Sequence, residues 1–223
     1  MNRIAGVSAV GMGLIYIAAF IFFGLFWAFP SAGSPAEKMN FLEESQLLFN
    51  IVYTLMYLVF AVLLGCLVVG LYEELKNKNA GLTILASLFG AIWVGLVIAS
   101  GMIANIGLAY AIGLMELSPD KAFEAWGVIY LMVESLGGGN ELVGGLWVLI
   151  ISSVALRARV FSIYLNLVGL IVGTAGVATI YPEEIFKEIF GVSQIVWFIW
   201  IGISLLGKEQ EGNDWVGAEI VNR

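Results

Sequence analysis

Five or six windows of this chain are too continuously apolar, and too long, to fold in water. A bilayer core about 30 Å thick is crossed by about 20 predominantly apolar helical residues. The window 8–29 meets that requirement, and similar windows recur along nearly the whole length. Inside lipid every backbone polar group has to be satisfied within the segment, which favours helices. The predicted fold class is therefore all-α, an integral membrane bundle. Composition agrees, since 12% of the residues are charged against about a quarter in soluble domains. The 27 glycines suit close packing between spanning helices.

Six transmembrane helices are predicted, at about 8–29, 47–71, 82–115, 122–156, 160–180 and 189–206. Pro30 and the Ser-Ala-Gly-Ser-Pro stretch end the first, and Tyr72-Glu73-Glu74 ends the second. The third, at about 1.5 Å per residue, is about 51 Å long and has to tilt, project or bend near Gly101 and Gly107. The fourth carries Gly137-Gly138-Gly139-Asn140 near its middle and is read as one interrupted crossing, because each half is too short alone. Residues 1–207 form the transmembrane domain, and 208–223 a short polar cytoplasmic tail.

Charge placement orients these spans. With both termini cytoplasmic, the inner connectors hold Arg3, Lys76, Lys78, Arg157, Arg159, Lys208 and Arg223, and the outer ones only Lys38, Lys121 and Lys187. That asymmetry follows the positive-inside rule and predicts a multi-pass protein of the cell inner (plasma) membrane. Several function classes drop out. No basic cluster suggests nucleic acid. The absence of histidine removes histidine-ligated haem, the usual zinc and copper sites and a Ser-His-Asp system. Cys66 is the single cysteine, so there is no disulfide framework. No cofactor or metal is identified by these residues.

Polar groups within apolar spans mark candidate sites. Glu134, Gly138 and Glu141 share one helix face if the fourth helix continues. Asn140 lies beside Glu141, and the glycine run offers backbone access. A pocket in the outer half is predicted from Tyr57, Asn105, Glu134, Asn140, Glu141 and Gln194. Its acids either enter a sheltered wet space, sit hydrated at the outer interface, or are buried structurally. Tyr53 and Tyr57 share a face. Asn166 lies toward the cytoplasmic half and reads as a packing residue. Gly169 and Gly173 have the four-residue spacing of a helix-packing face. Trp126 and Trp200 fit opposite interfacial belts.

The run Gly138-Gly139-Asn140-Glu141-Leu142 followed by Gly145-Leu146-Trp147, then Leu165-Asn166-Leu167-Val168-Gly169, Pro182, and residues 196–202, covers less than half of the chain. In these pieces the chain resembles the bacterial multi-span membrane proteins of the domain of unknown function 4386 family. The resemblance implies a membrane protein without an assigned activity and draws attention to Glu141. Three functions compete. One is a non-enzymatic membrane protein whose outer-side polar cavity binds or passes a cation, a lipid headgroup or a small polar solute. Another is a structural or regulatory membrane subunit. The third, an intramembrane enzyme using paired acids, lacks an activated nucleophile or metal cage. Expected partners are membrane lipids, a cation or small polar ligand, and either a second copy or another membrane protein.

Overall fold

The computed structural model describes residues 1–136, 141–181 and 183–208. The chain is all-α. Helix α1 spans Asn2–Ile21 and runs into a π-helical turn, Phe22–Phe26. Helix α2 is Pro35–Glu44; α3, Gln46–Tyr53, continues through a second π-helical stretch, Thr54–Val59, into α4, Phe60–Leu75. Then follow α5 (Ala80–Gly113), α6 (Pro119–Ala158), α7 (Ile163–Ala178) and α8 (Glu184–Val221). The predicted interruption at Gly137–Asn140 and the predicted tail beyond Lys208 lie outside the described residues.

Five of these segments are long and apolar enough to cross a membrane: Asn2–Phe26, Gln46–Leu75, Ala80–Gly113, Pro119–Ala158 and Glu184–Lys208. Their surfaces confirm what drives them there. Leu25, Phe26, Leu47, Val62, Ile106, Leu131 and Ile203 are all exposed, most of them by more than half of their area. A helix apolar on every face buries one side against protein and gives the other to lipid. At about 1.5 Å per residue α5 and α6 are about 51 and 60 Å long, well beyond a core of about 30 Å, and the excess is taken up by tilt or by projection.

The connector after the first span holds a short helix of its own. Residues 35–44 form α2, and the reason is local. Ser34 accepts from the backbone N–H of Glu37, while Glu37 accepts from the backbone N–H of Ser34 at 2.7 Å, a reciprocal capping box with Pro35 at the first helical position. The Ser-Pro-Ala-Glu spelling carried that signal. Those bonds to Ser34, the backbone one first, hold the Glu37 carboxyl below its ordinary range.

The chain divides into two compact units. The first comprises residues 1–14, 62–93 and 141–223. Here small residues let backbones meet. A side chain at Gly6 would strike Leu206 and the carbonyl of Gly202, and Gly70 faces Ala5. Gly169, Gly173 and Gly176 of α7 turn one face to α6, where they meet Ser152, Leu149, and Gly145 with the carbonyl of Glu141. The packing face predicted from Gly169 and Gly173 thus gains Gly176 and a named partner. Trp93, Trp147, Trp197 and Phe198 fill the adjoining core, with Trp147 and Trp197 edge to face at 5.7 Å. Polar groups tie several helix ends together: Glu74 takes bonds from Lys208 and from Asn2 at 3.3 Å, and the Lys208 ammonium lies 4.6 Å from the Phe161 ring centre. Asn166 is buried and donates to the Phe161 carbonyl, the packing role read from its position.

The second unit comprises residues 15–61 and 94–140. Its core joins Met39 and Leu42 of α2, Phe49 and Tyr53 of α3, Ala104, Leu108 and Ala111 of α5, and Ala122, Trp126 and Val133 of α6. Trp126 is a core residue of this unit, 7% exposed, and the Phe49 ring meets its ring edge to face at 5.6 Å.

Candidate functional site

In the second unit aromatic residues meet from four segments. On α3, Phe49 and Tyr53 are four apart and stack at 3.9 Å, and Tyr53 stacks on Tyr57 at 5.3 Å. On α6, Phe123, Trp126, Gly127 and Tyr130 follow the spacing of one helix face, and Glu134 continues it by another turn. The π-helical turn supplies Phe23, and the chain beyond it supplies Trp27, whose ring lies 6.0 Å from Phe49 and 5.0 Å from Phe41. Helix α2 adds Leu42.

A half-open cavity of about 420 Å³ is lined by Phe23, Trp27, Phe29, Leu42 and Phe49 on one part and by Tyr53, Phe123, Trp126, Gly127 and Tyr130 on the rest. That size falls within the roughly 300–1,000 Å³ usual for small-ligand pockets. Its walls are ring faces and edges, and its polar groups stand at identifiable places. The Glu134 carboxylate, one helical turn beyond Tyr130, interacts electrostatically with Tyr130 and with Tyr53. At the Phe123 wall the Lys38 ammonium sits 5.0 Å from the ring centre, a cation–π contact. Gly127 has open space where a side chain would project.

Beside this cavity, on the α5 side of the second span, the Asn105 amide donates to the Thr54 hydroxyl at 3.4 Å. The carbonyl oxygens of Asn50 and Asn105 are both buried without a hydrogen-bond partner. Thr54 opens the π-helical stretch, and such stretches shift the register of the residues after them by one position. Tyr57 lies in that stretch, and its Cβ fits against Gly101 of α5.

The predicted site residues distribute as follows. Tyr57, Asn105 and Glu134 belong to the second unit, and Glu141 and Gln194 to the first. Asn140 lies outside the described residues. Glu134 is exposed. Gln194 is fully buried, and one carboxylate oxygen of Glu141 is buried as well. Sequence reasoning missed Phe23, Trp27, Phe49, Trp126 and Tyr130 as cavity residues. The helical spacing of 123, 126, 127, 130 and 134 was a usable signal, but nothing local says which rings from other segments face it. Among the described residues no group of three or more acidic or cysteine side chains is placed to hold a metal ion. No protein-family model, no curated protein and no solved structure matches this chain.

Proposed function

We propose that the chain is a six-crossing protein of the inner (plasma) membrane, both termini cytoplasmic, that binds a small ligand in the aromatic cavity of its outer half. The ligand classes that suit such a cavity are a cation, a lipid headgroup or a small polar solute. The observation that carries this reading is the cavity itself: about 420 Å³ and walled largely by aromatic rings. The topology draws support from the Asn2–Glu74–Lys208 cluster, which joins the start of the first span to the ends of the second and the last. On this reading α7 is the sixth crossing. Its 16 residues are about 24 Å long, short enough to require local thinning or help from flanking residues. The resemblance to the domain-of-unknown-function family agrees with this class of protein.

The test uses Gly127→Leu, which fills the cavity at a position with room for the new side chain. The full chain in detergent is screened with inorganic cations, organic cations and short-chain lipids, reading thermal unfolding and the summed tryptophan fluorescence, to which Trp27 and Trp126 contribute. A ligand that raises the unfolding temperature of the native chain, and fails to do so in Gly127→Leu, supports the cavity. A shift of equal size in both proteins places the ligand elsewhere and ends this reading.

A structural or regulatory subunit is the second reading. It rests on a wholly apolar recess of about 430 Å³ between α1 and the second span, lined by Ile15, Ala18, Phe22, Val52 and Met56 among others. Filling it with Ala18→Leu should abolish association with a partner helix while the ligand response stays intact.

A further inference from the structure

We propose that the aromatic cavity takes an alkylammonium group, free or as the headgroup of a choline lipid; this deepens the cavity reading above and depends on it. Three observations converge. First, the wall is built from indole, phenol and phenyl rings at mixed angles. Trp27 is tilted 46° to Phe49, Phe49 stands 77° to Trp126, and Trp126 is tilted 46° to Tyr130. Rings turned through such angles offer faces as well as edges, and a ring face attracts a cation through its quadrupole, most strongly when the cation is desolvated. Second, the cavity wall already holds an ammonium: Lys38 lies over Phe123, which lines the cavity. Third, the carboxylate nearest the tyrosines is Glu134, one helical turn beyond Tyr130. A carboxylate at that position puts negative charge within electrostatic range of both cavity tyrosines.

These features select against the other ligand classes. An inorganic cation needs several oxygen ligands at bonding distance, and the side-chain oxygens of this mostly apolar wall are its two tyrosine hydroxyls. A neutral polar solute needs directional hydrogen-bond partners, which here are confined to the tyrosine edge. A bulky, weakly hydrated organic cation asks only for ring faces and a negative charge within range.

The full chain in maltoside micelles is titrated with choline and with 3,3-dimethylbutan-1-ol, which has the same shape and no charge. Readouts are the summed tryptophan fluorescence, to which Trp27 and Trp126 contribute, and the unfolding temperature. Choline should bind about tenfold tighter than its neutral counterpart, and Glu134→Gln should weaken choline about 3- to 10-fold while sparing the neutral compound. Glu134 is exposed, so the variant is expected to fold, and an unchanged unfolding temperature without ligand checks that. Lys38→Gln removes a like charge and should tighten choline about 2- to 5-fold, within the range of a single partly solvated charge contact. A short-chain phosphatidylcholine compared with phosphatidylglycerol of equal chain length separates the sources: preference for the choline lipid over free choline identifies the headgroup, and the reverse identifies a free ligand. Equal binding of choline and its neutral counterpart, or no effect of Glu134→Gln, overturns the ammonium assignment and leaves the cavity. No response to either compound overturns the cavity as well.

Discussion

Replacing Gly173 by alanine tests whether backbone contact holds α7 against α6. The added Cβ would lie 2.6 Å from the Leu149 Cβ and 2.7 Å from its Cα and its nitrogen, where ordinary contact begins at 3.4 Å. Two of these three atoms are backbone and the third is fixed to it, so no rotamer change relieves the clash. The helices have to part by about 0.7 Å, which forfeits roughly a quarter to a half of each contact along the seam. With about 20 atom pairs at about 0.15 kcal/mol each, that is about 1 kcal/mol, at the low end of the about 1–3 kcal/mol usual for overpacking. Gly65→Ala is the matched control, because its Cβ meets nothing within 4 Å. That variant should be neutral, or stabilised by up to about 1 kcal/mol through helix propensity. The same propensity gain in Gly173→Ala makes the difference between the two variants the quantity to read, about 1–3 kcal/mol. Thermal unfolding in detergent, followed by far-ultraviolet circular dichroism, should separate them by several degrees. If Gly173→Ala unfolds together with Gly65→Ala, close approach along Gly169, Gly173 and Gly176 is not what joins these helices.

Further outcomes follow from other parts of the molecule. Because Cys66 is the single cysteine, Cys66→Ser gives a cysteine-free background, in which Asn79→Cys should be labelled only from the cytoplasmic side and Ser118→Cys only from outside; labelling of both from one side would refute the alternation of spans. The Glu37 carboxyl is held down by its bonds to Ser34, so its contribution to α2 is complete above the unfolded value near 4.5 and is lost as pH falls through the lower, folded value. The protection of the amides at 36–38, relative to their intrinsic exchange rates, should therefore fall only at acid pH in the native chain. In Ser34→Ala, which costs the helix about 1 kcal/mol, that protection should already be low at neutral pH. A double-mutant cycle on Glu74 and Lys208, both partly buried, should give a coupling of about 0.5–1 kcal/mol that salt reduces; zero coupling would show that the contact contributes nothing to stability.

The sequence by itself determined where helices form and which of them belong in lipid. Hydropathy over about 20 residues is a local property, and the cost of an unpaired backbone group in hydrocarbon leaves the chain little choice. The glycine face of α7 was legible for the same reason, and the capping box that starts α2 was spelled out at Ser34 and Glu37. Partnership was decided by the tertiary structure. That Gly173 meets Leu149, that Trp126 packs on Phe49, and that Phe23, Trp27, Tyr53 and Tyr130 line one cavity all depend on contacts between residues tens of positions apart. A span apolar on every side carries no mark of which face will meet protein and which will meet lipid. Shape complementarity between particular side chains makes that choice, and it exists only once the helices are packed.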